Sequence, residues 1–133
     1  MSKSGSGLFK YTTGANATLM DELERSGEKY TKENVIGITK DKSGKLVWLE
    51  TGTDYAGYNH IEQRHLSEFQ SQGISKEELP NYILEAVHQG NIVGYQGPKP
   101  IYEFVYEGQT RRVAIGISNN GFIVGANPKS WRK

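Results

Sequence analysis

The spacing of apolar positions changes along the chain, and the changes place helices early and strands late. Leu19, Met20 and Leu23 recur at helical spacing behind Gly14-Ala15-Asn16, which has the chemistry of a helix start, and the stripe ends near Ser26-Gly27. Val35-Ile36-Gly37-Ile38-Thr39 and Leu46-Val47-Trp48-Leu49 flank Asp41-Lys42-Ser43-Gly44, which reads as a β-hairpin with a glycine-containing turn. Helical spacing returns at Tyr58, Ile61, His65 and Phe69 and stops near Gln72-Gly73. Ser75 and Glu78 stand at capping-box spacing, predicting a further helix from Ser75 through Leu79, Ile83, Leu84 and Val87 to Gln89-Gly90. Pro80 is far inside such a helix for a first-turn proline, so its start is irregular.

The remainder alternates as strands do. Segments 91–95, 101–106, 110–117 and 122–126 are separated by a loop at 96–100 and by turns at 107–109 and 118–121. Helices followed by a meander predict an α+β single domain, its N-terminal helices packed on one face of a C-terminal antiparallel β-sheet. Residues 1–7, Met-Ser-Lys-Ser-Gly-Ser-Gly, read as a flexible linker or expression remnant, leaving 8–133 as the folding unit.

Composition narrows the chemistry. A chain of 133 residues, 35% hydrophobic and 23% charged, fits one globular core. No apolar run approaches the ~18 residues of a membrane span and no leader pattern is present, so membrane insertion is not expected. The absence of cysteine excludes a disulfide framework, a thiolate metal site and a cysteine nucleophile. Three histidines without a tight carboxylate cluster give no zinc pattern, and no cofactor is expected. The net charge of +1 hides an asymmetry: from Gly108 onward the chain carries Arg111, Arg112, Lys129, Arg132 and Lys133 and no acid. That end is compatible with local contacts to an anion, or with a solvated basic tail.

The densest chemistry is Gly57-Tyr58-Asn59-His60-Ile61-Glu62-Gln63-Arg64-His65. At ~100° per residue His60 and Arg64 share a helix face, while His65 falls on the apolar stripe; His60 is expected to look outward and His65 toward the core edge. Imidazole exchanges protons near neutral pH and a guanidinium can neutralise a phosphate, so the pair with its arginine suggests acid/base work on an anionic substrate. His88, alone near a helix end, is expected to interact with that terminus. Arg111 and Arg112 are adjacent in a strand and must face opposite ways. Arg112 shares its face with Ala114, Gly116 and Ser118, the small-residue side on which a ligand has room, with Asn120 at the following turn. Tyr58, Tyr95, Tyr102 and Tyr106 are candidate base-stacking residues.

Several of these motifs resemble a known group. Gly-Leu-Phe-x-Tyr-Thr-x-Gly-Ala-Asn at 7–16, the Val-Ile-x-Ile-Thr-Lys hairpin ending in Val-Trp-Leu-Glu, Gly57-x-x-His60-Ile61-x-x-Arg64-His65 and Asn120-Gly121-Phe122-Ile123-Val124 are similar to the C-terminal toxin domains of bacterial polymorphic and contact-dependent inhibition systems. The resemblance is to the barnase–EndoU–colicin–RelE-like (BECR) nuclease superfamily and covers nearly the whole chain from Gly7. One departure is Leu66-Ser67 after His65, where the pattern has a glycine. The resemblance implies a metal-independent endoribonuclease, often acting on tRNA, secreted within a larger toxin, working in the target bacterium's cytoplasm and blocked by a cognate immunity protein. It implies a catalytic set of His60, Arg64 and His65, with Arg112, Ser118 and Asn120 matched less securely. Thr53, Tyr95, Tyr102 and Arg111 are the expected substrate contacts. The expected mechanism is RNA transesterification, with His60 taking the 2′-hydroxyl proton, His65 or a polar sheet group protonating the leaving oxygen, and Arg64 and Arg112 stabilising phosphorane charge. A non-catalytic domain binding RNA or protein through the basic C-terminal segment is the alternative, and a DNase stands third.

Overall fold

The continuous apolar run Leu46-Val47-Trp48-Leu49 needs cover on both faces, and the fold supplies it. In the computed structural model, which describes residues 14–129, the hairpin β1 (Val35–Lys40) and β2 (Leu46–Glu50) lies between two helices. On one face Ile38 and Trp48 pack with Met20 and Leu23 of α1 (Gly14–Ser26), forming a small core of their own. On the other, Val47 and Leu49 join the main core. The expected 1–7 linker, Arg132 and Lys133 lie outside the described residues.

Helix α3 (Leu79–Gln89) is apolar around most of its circumference, with Leu79, Tyr82, Ile83, Leu84, Ala86 and Val87 buried. Such a helix must be enclosed, and α3 sits between the hairpin and the four-stranded antiparallel sheet β3 (Asn91–Gln96), β4 (Lys99–Tyr106), β5 (Gln109–Ile117) and β6 (Ile123–Lys129). Tyr102, Phe104, Val113, Ile115 and Ala126 face it and complete the core. Its start differs from expectation. Ser75 and Glu78 do exchange capping-box bonds, Ser75 N–H to Glu78 Oε2 at 3.0 Å and Glu78 N–H to Ser75 Oγ at 3.2 Å, yet regular helix begins only at Leu79. Pro80 then falls in the first turn, where a missing N–H costs nothing.

Two strand boundaries also differ. The expected loop 96–100 is a two-residue turn, so Lys99 and Pro100 belong to β4 with Lys99 opposite Gln96. Strand β6 runs past Ala126 through Asn127 to Lys129, and Pro128 is tolerated because β6 is an edge strand. Helix α2 (Tyr58–Ser71) lies along that edge. Ile61 and Phe69 enter the core from it, while neighbouring positions reach around β6 to the sheet's other face. The α+β class and the antiparallel meander are as the sequence predicts. Among the described residues no helix is long and apolar enough to cross a membrane.

Candidate active site

The sheet face away from α3 carries small and polar side chains. By strand alternation and pairing it presents Lys99, Ile101 and Glu103 on β4, Arg112, Ala114 and Gly116 on β5, and Gly125, Asn127 and Lys129 on β6. Gly116 and Gly125 are directly paired and leave a floor without side chains. Lys99 lies across it: a Cβ on Gly116 would meet its Cγ at 3.5 Å and its Cε at 3.7 Å. The ammonium donates to Asn127 Oδ1 at 3.0 Å, and Asn127 Nδ2 donates to Gln96 Oε1 at 3.1 Å. Burial lowers the Lys99 pKa from its ordinary value, because a half-enclosed ammonium loses part of its hydration.

His60 meets this floor from above. A Cβ on Gly125 would lie 3.6 Å from His60 Cδ2, 3.9 Å from its Nε2 and 3.8 Å from Lys99 Nζ. Imidazole and ammonium thus both lie within 4 Å of one point over strand β6. The expectation that His60 looks outward is corrected, since the edge position of α2 turns that helix face over the sheet.

Local structure fixes the ring. Gly57, at φ 95°, allows the chain to turn sharply into α2 and donates its N–H to Val124 O at 2.9 Å, joining the helix start to β6. A side chain there would stand 2.9 Å from Gly52 Cα and 3.0 Å from Glu50 O. Asp54, in the preceding loop, holds two members of the helix: its carbonyl is 2.9 Å from His60 Nδ1 and its carboxylate accepts from Gln63 Nε2 at 2.8 Å. A carbonyl only accepts, so Nδ1 carries a proton, and in the neutral form of the ring Nε2, beside the floor, is the nitrogen with the free lone pair. That is the tautomer of a general base.

The other expected residues are dispersed. His65 Nδ1 is 3.1 Å from Glu68 Oε1, an i,i+3 pair on the helix surface, and Arg64 is exposed on α2. Arg112 shares the outer face with Lys99, but Glu103 Oε2 holds its Nε at 3.0 Å and its Nη2 at 2.9 Å. Arg111 points the other way, is 8% exposed, and donates to Gln72 O and Gln109 Oε1. Ser118 donates to Asn120 Oδ1 within the β5–β6 turn and accepts from Phe122 N–H at 3.2 Å. That turn borders a cavity of about 450 Å³ lined by Glu22, Arg25, Lys40 and Asn120, with neither His60 nor Lys99 in its wall. Thr53 Oγ1 accepts from Tyr55 N–H in the exposed loop. Tyr102 is a core residue, and Tyr95 pairs with Pro100, on the Tyr102 side of the sheet. Arg111, Tyr95 and Tyr102 are therefore on the wrong side to share a ligand with His60. Tyr58 and Tyr106 donate their hydroxyls to Lys76 O and Glu78 Oε1, and His88 Nδ1 meets Lys40 O, not its own helix terminus.

The residues that do join His60 are Lys99, Asn127 and Gln96, none of them expected from the sequence. The available signal was the alternation of Arg112, Ala114 and Gly116, which marks the small-residue face. Among the described residues no group of three His, Cys, Asp or Glu side chains is disposed to hold a metal ion. No protein-family model and no curated protein matches this sequence.

Proposed function

We propose that this domain is an endoribonuclease that cuts RNA by metal-independent transesterification over the Gly116–Gly125 floor. The observation that carries the reading is the convergence of His60 Nε2 and Lys99 Nζ on the point above Gly125. A phosphodiester seated there has a base and a cation close to it. His60 Nε2 takes the proton of the ribose 2′-hydroxyl, and the 2′-oxygen bonds to phosphorus. The bond to the 5′-oxygen breaks, and Lys99 gives that oxygen a proton, leaving a 2′,3′-cyclic phosphate and a 5′-hydroxyl. Partial burial suits Lys99 to the task, since a lowered pKa makes the ammonium a stronger acid. Its charge also offsets charge gathering on the non-bridging oxygens. Lys129, on the same face, extends the positive surface for neighbouring phosphates. His65 has no chemical role in this scheme, and Arg112 acts as one half of its pair with Glu103.

Delivery within a larger bacterial toxin, tRNA as target, action in the recipient cytoplasm and a protective immunity protein rest on the motif resemblance alone and are part of the same proposal. The test is a single-stranded RNA beside its fully 2′-O-methylated counterpart and the matching DNA, with total tRNA in parallel. Cleavage of the RNA alone, leaving cyclic-phosphate ends, is expected. Cleavage of the methylated strand or of DNA would refute transesterification, and binding of RNA without cleavage would favour a non-catalytic domain.

A further inference from the structure

The contact between Gln96 and Asn127 crosses an unusual distance. Gln96 is on β3 and Asn127 on β6, with β4 and β5 between them. In a flat sheet three strand spacings of ~4.8 Å would hold them about 14 Å apart, beyond the reach of two amide side chains. The sheet is therefore curled toward the outer face at this end, and Lys99 lies inside the curl. Asn127 is 8% exposed, and both ends of its amide are engaged.

An asparagine amide can sit either way round, and the two orientations have opposite effects on a neighbouring ammonium. With Oδ1 toward Lys99 the ammonium has an acceptor; with Nδ2 toward Lys99 two donors face each other. The ammonium, which only donates, selects Oδ1, and Gln96 Oε1 accepts from the Nδ2 end and anchors the side chain on its far side.

We propose that Gln96 is a positioning residue: by accepting from Asn127 Nδ2 it anchors the Asn127 side chain beside Lys99 and so holds the ammonium over Gly125, near His60. The kinetic consequence rests on the acid role given to Lys99 above, whereas the effect on the ammonium itself does not. The charged and titratable groups sharing the face are His60 from α2, Glu103 on β4, and Arg112 and Lys129 on β5 and β6. Glu103 is already paired to Arg112, so Asn127 is the polar partner that a change at Gln96 would alter.

The experiment compares wild type, Gln96→Leu and Gln96→Glu by NMR titration of the Lys99 side chain, with pH profiles for RNA cleavage alongside. Gln96 is exposed at the β3–β4 turn, and circular dichroism confirms that the variants fold. In Q96L the Asn127 Nδ2 loses its acceptor, the side chain is free to swing away from the ammonium, and the Lys99 titration moves to lower pH. In Q96E the carboxylate still accepts and adds negative charge, and the titration moves to higher pH. Because Lys99 works protonated, the basic limb of the cleavage profile follows it in each case. Q96L lowers kcat roughly 10-fold, the scale of one hydrogen bond to a charged group, with little change in KM, and Q96E recovers part of the loss. Opposite displacements support the proposal; a merely structural role would not invert with the sign of the substitution. An unmoved Lys99 titration, or one moving the same way in both variants, overturns it. If the titrations move oppositely while no form cuts RNA, the positioning role stands and the nuclease reading falls.

Discussion

Replacing Gly125 with alanine should raise stability and lower activity together. The backbone there has no left-handed conformation, and the nearest contacts of an added Cβ are His60 Cδ2 at 3.6 Å, Lys99 Nζ at 3.8 Å and His60 Nε2 at 3.9 Å. All three are ordinary van der Waals distances, so the methyl fits without displacing the chain. Removing a glycine from a strand interior contributes about 0.5–1 kcal/mol, a rise of roughly 2–4 °C in Tm for a domain of this size. The same methyl occupies the point on which base and cation converge. A phosphate oxygen bonded to Nζ or Nε2 must lie within ~2.7–3.2 Å of it, yet no closer than ~3.3 Å to the new carbon. The phosphodiester is pushed out by about 1 Å, and displacement on that scale costs on the order of 100-fold in rate. Thermal unfolding and single-turnover cleavage of RNA measure the two effects on one preparation. A G125A protein that melts higher and cleaves at the wild-type rate would show that the scissile phosphate does not sit over Gly125.

Other consequences are more local. His65→Gln should leave cleavage within about twofold of wild type, because His65 is engaged with Glu68 on the helix surface and exposed pairs of this kind contribute little; a loss beyond 10-fold would return His65 to the site. Glu78 supplies a pH dependence of folding. Burial alone would raise its pKa, but hydrogen bonds from the Tyr106 hydroxyl and from the Ser75 amide and hydroxyl, with nearby Arg111, outweigh it and leave a net lowering from 4.5. A carboxylate depressed on folding adds stability that is full above its unfolded pKa and is lost as pH falls through the folded value. Urea unfolding should therefore show a loss of stability below about pH 4.5 that Glu78→Gln diminishes, and an identical acid loss in E78Q would remove Glu78 as its source.

How far the sequence reveals this molecule depends on what each signal responds to. The hairpin at 35–49 and the helix at 58–71 were legible because their apolar period and turn residues agree. The double burial of the hairpin was foreshadowed by Leu46-Val47-Trp48-Leu49, which does not alternate. His60 was legible as chemistry but not as geometry, since helical spacing gives a face and not the sheet edge that the face overhangs. Lys99 and Asn127 were hidden by their neighbours. Pro98 and Pro100 read as a loop, and the last strand read as ending at residue 126, whereas the fold has a two-residue turn and an edge strand that accommodates Pro128. Both polar residues were thus taken out of the sheet before their facing could be considered. Tyr102 shows the reverse case, because its aromatic chemistry suggested stacking while the fold buries it, whereas Tyr95 on the edge strand stays exposed.

The most direct measurement is cleavage of total tRNA in EDTA by wild type, His60→Ala and Lys99→Met, each shown by circular dichroism to be folded. The wild type should generate 2′,3′-cyclic phosphate ends, with both variants slower by ~100-fold or more, the scale of one lost acid or base. Cleavage that persists in both variants, or that needs a divalent metal, would contradict the site described.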